Sequence, residues 1–351
     1  MKVLIINPGA TSTKIAVFDE DTELFKQSID HDAADLAPFS SVIDQKEYRK
    51  ALIMRALADA GYKMTDFAAV CGRGGLLRHI PSGTYTVTQQ AVEDITTARY
   101  GEHASNLGAL LAKELGDTVG IPSYFVDPVC TDEFTDIARV SGFAGMERQS
   151  FFHALNHKAM AREAAKRIGK AYEALNLIVV HMGGGVSVAL HEKGRVVDAY
   201  NVRDEGAFSM DRGGSLPIMQ VIDLCFSGKD KKAVKKLLAS GSGVYSYCET
   251  RDFREVVQRM EEGDATAALV SNAMVYQLAK DIGAMATVAC CEVDAIVLTG
   301  GMANSKWLCT EIEKRVGKLA PVMVLPGENE MQSLALGALR VLHGEQAAKT
   351  Y

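Results

Sequence analysis

Residues 3–18, VLIINPGATSTKIAVF, predict an apolar strand, a turn of small and hydroxyl residues around Gly9, and a second apolar strand. Residues 177–200 repeat this plan as LIVV, HMGGG, VSVAL, the turn HEKG and RVVDAY. Gly9 and Gly183 align in the two stretches, at an offset of nearly half the chain. We therefore predict two related domains that open alike, with two unrelated hairpins as the alternative on this pattern alone.

Helical patterns fill the chain after each of these openings. They cover residues 46–60, part of 88–114, 153–168, 265–291, a stretch from Ser305, and 329–344, with strands at 295–301 and 321–327. Alternation of strands with helices predicts an α/β protein with mixed sheets. We expect the last helix to pack on the first domain.

The composition excludes several classes of protein. The 38 Lys and Arg residues against 44 Asp and Glu give a net charge of −6, and no basic arm compensates for it, so we predict no nucleic-acid partner. No segment approaches the ~20 apolar residues of a membrane span, so we predict no membrane partner. The seven cysteines are scattered without a C-x-x-C pair, which fits reduced thiols in a cytoplasmic protein.

Six clusters of glycine interrupt or follow apolar runs, where a missing side chain lets backbone N–H groups approach an anion. None fits a P-loop or a dinucleotide fingerprint, so a structural turn is the alternative for each. Arg73 and Arg212 each precede two glycines, and a planar guanidinium there suits phosphate or carboxylate binding. The repeated Arg-Gly-Gly pattern favours an anion clamp over surface ion pairs.

Histidines and acids near these turns are further candidates. His181 ends an apolar strand directly before three glycines, where a ring nitrogen can donate to a phosphoryl group. His153 and His157 share a helix face, but no third ligand is evident, so zinc is not expected. Asp127 follows an apolar strand. Glu328 and Glu330 are either helix-start acids or carboxylates that position Mg²⁺, and spacing alone does not decide between these roles.

Ten motifs in this order resemble those of the acetate and butyrate kinases of the actin-like ATPase superfamily. They span residues 7 to 338: NPGATSTK (7–14), GRGG (72–75), EHASNLGA (102–109), FVDPV (125–129), FFHALNHK (151–158), HMGGG (181–185), MDRGGSLP (210–217), SGVYSYCETRDFRE (242–255), LTGGMANS (298–305) and GENEMQSLALGA (327–338). FFHALNHK and MDRGGSLP look closer to the butyrate kinases.

The resemblance implies two actin-like, ribonuclease H-like domains with mixed sheets flanked by helices and a nucleotide cleft between them. We place the first domain at residues 1–172 plus 331–351 and the second at 173–330. The resemblance also implies ATP/ADP and Mg²⁺ as cofactors, a short-chain fatty acid such as butyrate as substrate, and a homodimer or larger homo-oligomer.

Site roles follow from the same resemblance, position by position. The catalytic set is Arg73, Asp127, His153, His181 and Arg212, with both histidines as donors to the phosphoryl group. Nucleotide binding falls to Thr11, Ser12, Lys14, Gly183, Gly184, Gly185, Asp252, Phe253, Arg254, Gly300, Gly301, Met302 and Asn304. Asn7 and Glu330 match the Mg²⁺ positions, although Glu328 aligns nearly as well as Glu330.

The implied reaction is reversible transfer of the ATP γ-phosphoryl group to butyrate, giving butyryl phosphate and ADP. Arg73 is followed by Gly74 and Gly75 where the acetate kinase pattern has two valines, so we expect a wider acyl pocket, with Phe152 as an apolar wall. The alternatives are a branched-chain (isobutyrate or isovalerate) or propionate kinase. Two alternatives come from other functional classes. One is an actin-like nucleotide-binding regulator without kinase activity, and the other is a sugar kinase, which needs a general base that this sequence does not supply.

Overall fold

The computed structural model describes all 351 residues, Met1–Tyr351, and divides into two compact units. Unit 1 comprises Met1–Asp132 and Asn329–Tyr351, and unit 2 comprises Glu133–Glu328. Residues 133–172, which we assigned to the first domain from the sequence, lie in unit 2 because their helix packs on the unit 2 sheet. The boundary at residue 172 stays a prediction about domains.

Unit 1 is built on a seven-stranded mixed sheet of order β12-β5-β6-β4-β1-β2-β3. Its strands are β1 (Lys2–Pro8), β2 (Ser12–Asp19), β3 (Thr22–Asp30), β4 (Ala69–Arg73), β5 (Thr84–Thr86), β6 (Ser123–Val126) and β12 (Lys349–Thr350). Its helices are α1 (Ala33–Leu36), α2 (Lys46–Asp59), α3 (Gln89–Thr96), α4 (Asn106–Asp117) and α13 (Glu330–Leu342). Strand β1 pairs antiparallel with β2 and parallel with β4.

Unit 2 is built on a five-stranded sheet of order β11-β10-β7-β8-β9. Its strands are β7 (Asn176–Met182), β8 (Val186–Glu192), β9 (Arg195–Ala199), β10 (Ala295–Gly300) and β11 (Val322–Pro326). Its helices are α5 (Asp136–Arg139), α6 (Ala154–Ile168), α7 (Ile218–Cys225), α8 (Lys231–Ser240), α9 (Tyr245–Cys248), α10 (Phe253–Glu261), α11 (Ala265–Val288) and α12 (Lys306–Val316).

The internal repeat predicted from the sequence is confirmed by the sheets. The offset between Gly9 and Gly183 also separates both ends of β1 from those of β7, and the start of β2 from that of β8. The neighbours β4-β1-β2-β3 in unit 1 correspond to β10-β7-β8-β9 in unit 2, with the same parallel and antiparallel pairings. The predicted α/β class with two mixed sheets flanked by helices is therefore confirmed.

Most helices lie where the sequence places them, and the last one, α13, packs against β1, β4 and β6 as expected. Helices α7, α9 and α10 between β9 and β10 were not predicted, because each is short and follows a polar or glycine-rich turn. No helix has both the length and the apolar character that crossing a membrane requires.

Strand β7 is buried at every residue. Ile178 and Val180 face a core that includes α11, whereas Leu177 and Val179 face a second core formed with α6. Burying each such side chain contributes about 1.5–3 kcal/mol. The continuous apolar run LIVV therefore reads as a strand covered on both faces, as central strands of such sheets are.

Helix α4 lies unusually close to β4. A Cβ at Gly108 would lie 2.4 Å from the carbonyl oxygen and 2.7 Å from the nitrogen of Arg73. Only glycine allows this approach, which fixes the height of the helix above the end of the strand. The backbone of Arg73 is thus held from one side by α4.

The loop that carries Arg212 is anchored on α11. The backbone N–H of Ala207 donates to Asp281 Oδ2 at 2.6 Å, and that of Phe208 donates to Gln277 at 3.3 Å. Gly206, with φ at +68°, lets the loop pass Asp281, since a Cβ there would lie 2.8 Å from the carboxylate. Burial raises the pKa of Asp281 from 3.8 to about 6.

Replacing Gly108 by alanine should destabilise unit 1, because the new methyl group has to push α4 away from the backbone of Arg73. We expect a loss of about 1–3 kcal/mol in the free energy of unfolding, measured by urea titration. Gly283→Ala is the matched control: Gly283 also lies inside a helix, but a Cβ there meets nothing within 4 Å. The control should gain up to about 1 kcal/mol from helix propensity. Equal effects of the two substitutions would contradict the close approach.

Replacing Asp281 by asparagine should remove a pH dependence of stability. Because the pKa of Asp281 is higher in the folded chain than its ordinary value of 3.8, the carboxyl favours folding below pH 4, and this contribution is lost as the pH rises through 6. Asparagine still accepts from Ala207 and does not ionise. Relative to the parent, the free energy of unfolding of the variant should therefore rise by about 2 kcal/mol between pH 4 and pH 7.

The measurement is chemical denaturation at several pH values, with exposed Asp223→Asn as the control that should follow the parent's profile. A parent profile that Asp281→Asn leaves unchanged would show that this carboxyl titrates normally.

Candidate functional site

Unit 1 brings three of the candidate site residues together. Arg73 ends β4, and its Nη1 lies 2.6 Å from Glu330 Oε1 and donates to Asn7 Oδ1 at 3.3 Å. Asn7, near the end of β1, donates from Nδ2 to Glu330 Oε2 at 2.7 Å. Glu330 is the first residue of α13, where the helix dipole favours a carboxylate. The parallel strands β1 and β4 and the start of α13 therefore converge on one partly exposed group of an arginine, a carboxylate and an amide.

The geometry separates the two glutamates that the sequence left as alternatives. Glu330 lies with Asn7, the other residue assigned to Mg²⁺. Glu328 belongs to unit 2, where its Oε1 lies 3.7 Å from His181 Nε2. The two carboxylates, although close in sequence, therefore have different neighbours.

Asp127 lies directly after β6 in a left-handed conformation with φ at +39°. Its buried Oδ1 accepts from the hydroxyl of Ser82 at 2.6 Å and from the N–H of Gly83 at 2.7 Å. These bonds hold the carboxylate in one orientation. Because β6 is parallel to β4 and Val126 is the register partner of Arg73, Asp127 lies at the same edge of the sheet as that arginine.

The turn between β1 and β2 is tight, with the N–H of Gly9 donating to Ser12 O at 2.7 Å. The side chains of Thr11 and Lys14 are exposed and that of Ser12 is partly exposed, so all three can reach a ligand. A fully buried arginine, Arg49 of α2, supports the turn from behind.

Arg49 was missed by sequence reasoning, because KEYRKALIMR reads as an ordinary surface helix. Its guanidinium donates to the carbonyls of Gly9 and Ala10 at 2.8 and 3.2 Å and to Gln45 Oε1 at 2.7 Å. Burial, and then the charge of Arg49, lower the pKa of His31, whose ring contacts Thr13 of β2 just after the turn. Arg49 thus places a positive charge directly behind a turn that is proposed to face phosphate.

In unit 2 the hairpin turn at residues 183–185 lies between two candidate catalytic residues. A Cβ on Gly183 would lie 3.4 Å from His181 Nε2, and a Cβ on Gly185 would lie 3.1 Å from Arg212 Nη1. Arg212 donates to Val202 O at 3.3 Å, and its closest acidic partner, Asp211, lies 4.0 Å away. The turn is therefore lined by a histidine on one side and by a weakly paired guanidinium on the other.

The two candidate histidines stack on each other. The rings of His153 and His181 have centroids 3.8 Å apart and are tilted by 17°. His153 precedes α6 and contacts Ser187 Oγ through Nδ1 at 2.8 Å, whereas His181 contacts Asn156 Oδ1 through Nδ1 at 2.9 Å. The structure thus brings together the two residues that the sequence resemblance assigned to phosphoryl binding.

Asn156 determines the tautomer of His181. Its amide NH₂ donates to the carbonyls of Gly327 and Glu328 at 3.2 and 2.9 Å, so its oxygen faces His181. The Nδ1 of His181 must therefore carry a proton, and Nε2 is an acceptor in the neutral ring. His181 can donate from Nε2 only as an imidazolium, a condition that the sequence did not reveal.

The residues expected at the adenosine end are divided between surface and core. Asp252 caps α10 and pairs with exposed Arg254 at 2.6 Å, and this hydrogen bond lowers the pKa of Asp252 to about 2. Phe253 and Met302 are buried in the apolar core of unit 2. Gly300 and Gly301 begin a short turn after β10, closed by Asn304, which donates to Gly301 O at 2.9 Å. The polar groups of this set can therefore reach a nucleotide, whereas the ring of Phe253 is engaged in packing.

The residues expected to shape an acyl pocket, Gly74, Gly75 and Phe152, are surrounded by protein atoms. A Cβ on Gly75 would lie 2.1 Å from Asn106 Oδ1, and one on Gly74 would lie 2.7 Å from Pro128 Cβ. The two glycines make room for neighbouring protein atoms, so these contacts do not support the expected widening of an acyl pocket, which stays a prediction. Phe152 is buried and its ring meets the edge of His157 at 5.2 Å, as part of the core that includes Phe134.

Arg203 is a further cation that sequence reasoning missed. Its guanidinium lies 3.4 Å from the centroid of the Phe151 ring. Burial and the positive charge of Arg212 lower its pKa. Two neighbouring arginines repel each other, so this loop is suited to an anionic ligand.

The comparisons with known proteins agree with this architecture. A sequence model of the family described as "Acetokinase family" matches residues 144–333, more than half of the chain.

Acetate kinase from Porphyromonas gingivalis is 20% identical, with a TM-score of 0.79 over 97% of this chain and 99% of that one. Acetate kinase from Entamoeba histolytica is 18% identical, with a TM-score of 0.77 over 97% and 99%. A propionate kinase from Francisella tularensis subsp. tularensis SCHU S4 is 17% identical, with a TM-score of 0.75 over 96% and 98%. These structures share the fold, and the family match, which covers the histidines, the glycine turn and Arg212, shows that this chain belongs to the acetokinase family of ATP-dependent carboxylate kinases.

Proposed function

We propose that this chain transfers the γ-phosphoryl group of ATP to butyrate, reversibly, to give butyryl phosphate and ADP. The observation that carries the proposal is the environment of Arg212. Its guanidinium borders an open glycine turn beside a histidine, and its closest acidic partner is 4.0 Å away. A guanidinium that is held by a carbonyl but has no close carboxylate is suited to an anionic ligand, and a transferring phosphoryl group fits that description.

The proposed chemistry needs positioning more than bond-making by the protein. A carboxylate is already an ionised nucleophile, so no general base is required, and transfer is direct and in line. Arg73 and Arg212 are proposed to neutralise the carboxylate and the phosphoryl oxygens, with His153 as a hydrogen-bond donor. His181 contributes a second donor when it is protonated. Asp127, fixed by Ser82 and Gly83, is proposed as an orienting carboxylate.

The oxygen atoms of Asn7 and Glu330 fit a magnesium ion. Mg²⁺ prefers hard oxygen ligands and binds through one or two carboxylates plus substrate phosphates. One carboxylate and one amide oxygen, on side chains that are hydrogen-bonded to each other at the end of β1 and the start of α13, match that donor set. When bound, Mg²⁺ would neutralise charge on the phosphates. Asn7 and Glu330 would hold the ion, and Arg73, which contacts both residues, would compete with it for their side-chain oxygen atoms.

Butyrate is proposed as the acid because FFHALNHK and MDRGGSLP resemble the butyrate kinases more than the acetate kinases. Propionate and branched C4 to C5 acids are the alternatives within the class. The glycines at 74 and 75 no longer support the larger acid, since protein atoms fill the space beside them. Each further buried CH₂ contributes about 0.8 kcal/mol, so a graded preference along the acid series is expected. A cytoplasmic location and a homodimeric or larger assembly stay predictions.

The function is tested by trapping acyl phosphate as the hydroxamate with ATP, Mg²⁺ and linear and branched acids from C2 to C6. We expect the highest kcat/KM with butyrate and about fourfold loss for each CH₂ removed.

Arg212→Ala should lose at least a hundredfold in kcat/KM, because charge that acts in the transition state is removed. Exposed Arg315→Ala is the matched control and should keep the parent's activity. If the enzyme uses acetate as efficiently as butyrate, the proposed acid preference is rejected. If no acid gives a hydroxamate, the kinase proposal is rejected, and the nucleotide-binding regulator is the remaining alternative.

The magnesium assignment is tested by the pair Glu330→Gln and Glu328→Gln. Both changes remove one carboxylate charge, but only Glu330 lies with Asn7. We expect Glu330→Gln to raise the Mg²⁺ concentration for half-maximal activity about tenfold or more, because one charged ligand is lost. Glu328→Gln should leave that concentration unchanged. Electron paramagnetic resonance of Mn²⁺ bound in the presence of ATP gives a second measure of metal affinity. If Glu328→Gln weakens metal binding more than Glu330→Gln does, the metal belongs to Glu328.

A further inference from the structure

A continuous chain of polar side chains runs from His153 into the core of unit 2. Ser187 Oγ lies 2.8 Å from His153 Nδ1 and 2.9 Å from His157 Nε2. His157 Nδ1 lies 3.4 Å from His191 Nε2, and His191 Nδ1 lies 2.7 Å from the hydroxyl of Tyr172. Three elements contribute: α6 with the residue before it, strand β8, and the turn before β7.

The inner part of this chain is closed to water. His157 and His191 have no exposed surface, Ser187 is 1% exposed and Tyr172 is 5% exposed. Burial lowers the pKa of both inner histidines well below its usual value, and the nearby charge of Lys158 acts in the same direction. Both rings are therefore neutral, and each has one donor and one acceptor nitrogen.

Ser187 Oγ can accept from both histidines, but its buried proton then has no partner among these contacts. With neutral rings, two arrangements of the protons remain that use every group. In one, Tyr172 donates to His191, His191 to His157, His157 to Ser187, and Ser187 to Nδ1 of His153. In the other, every bond is reversed, and His153 donates from Nδ1. Each contact has a single proton to share, so the direction at one end determines the direction at the other. The tautomer of His153 is thereby linked to the hydroxyl group of Tyr172, at the other end of this series of hydrogen bonds.

Tyr172 determines which arrangement is adopted. A phenolic hydroxyl is a stronger acid than the N–H of a neutral imidazole, so it is the better donor in their contact. Two cations face its ring: Lys158 Nζ at 5.7 Å and the guanidinium carbon of Arg162 at 5.5 Å from the centroid. Lys158 is itself paired with Glu133 at 2.5 Å, so the acidity of the phenol carries the preference and the two cations only add to it. The first arrangement, with the proton of His153 on Nε2, is therefore the stable one.

We propose that Tyr172, His191, His157 and Ser187 are positioning residues that hold the proton of His153 on Nε2. The proposal rests on the proposed function, in which His153 donates a hydrogen bond to the transferring phosphoryl group. With Nδ1 bonded to Ser187, Nε2 is the nitrogen that serves this role, and it donates only in this tautomer. These four residues, called the relay below, leave His153 a donor in its neutral form. No proton therefore has to be taken up when the substrates bind.

The relay is tested with Tyr172→Phe, which removes only the hydroxyl at its inner end. Tyr85→Phe is the matched control, because Tyr85 is buried to a similar degree and its hydroxyl donates to Pro81 O at 2.7 Å. The full-length protein is labelled with ¹⁵N-histidine, and two-bond ¹H–¹⁵N correlations report which ring nitrogen carries the proton. Assignment uses single His-to-Gln variants.

We expect His153 of the parent and of Tyr85→Phe to be in the Nε2–H form, and His153 of Tyr172→Phe to populate both forms. The kcat of Tyr172→Phe should fall about fivefold, the effect of one hydrogen bond, with KM for ATP and acid unchanged. Ser187→Ala should also mix the tautomers of His153, and Ser187→Thr, which keeps a hydroxyl, should restore the Nε2–H form.

The relay is overturned by an Nδ1–H form of His153 in the parent, or by a tautomer that Tyr172→Phe and Ser187→Ala both leave unchanged. The spectra do not require turnover, so they separate this result from failure of the proposed function. If the parent forms no acyl phosphate while its spectra show the expected tautomers, the proton relay stands and the kinase proposal fails.

Discussion

Complete burial of β7 is the constraint on which the geometry of unit 2 depends. Apolar side chains cover both faces of the strand, so a polar residue at its end has to find its partners inside the protein. Helix α6 packs across one face and presents Asn156 and His157 together with His153, which precedes its first turn. Helical spacing places these side chains on the same face of the helix. The pairing of His181, the stacking of the two rings and the proton relay all follow from this one packing arrangement.

In unit 1, Arg73 and Glu330 are positioned by the close approach of one helix and the start of another. Gly108 lets α4 reach the backbone of Arg73, and α13, close to the other end of the chain, places Glu330 against the guanidinium. Both side chains are partly exposed, and an ion pair in that setting contributes at most about 1 kcal/mol to stability. The ion pair therefore serves to orient Arg73 rather than to stabilise the fold. Without a ligand, the carboxylate of Glu330 holds the arginine in place, and a metal ion there would compete for the same oxygen atoms.

The sequence predicted what depends on local pattern and missed what depends on contact between distant segments. The internal repeat reproduces strand boundaries, because an apolar run, a glycine turn and a second run are all local signals. His153 and His181, to which the resemblance gives the same role, lie with their rings stacked. Arg49 and Asn156 gave no signal, since a polar residue in a helix looks the same whether it faces solvent or a buried turn. The glycines at 74 and 75 show the same limit: a missing side chain suggests free space, but only the structure shows that Asn106 and Pro128 lie beside them.

The stacked histidines limit how much charge the site can carry. Two imidazolium rings with centroids 3.8 Å apart would repel each other by roughly 4 kcal/mol at an effective dielectric constant of 20, so at most one ring is readily protonated. Glu328 lies 3.7 Å from His181 and stabilises a charge there, whereas the proposed relay supplies His153 with a proton on Nε2 while the ring stays neutral. In the proposed arrangement, His153 donates as a neutral ring, and the Glu328 carboxylate faces the ring of His181. Because the hydrogen bonds that set the two rings run to different partners, Asn156 and Ser187, a change in the charge of His181 need not disturb the hydrogen bond of His153.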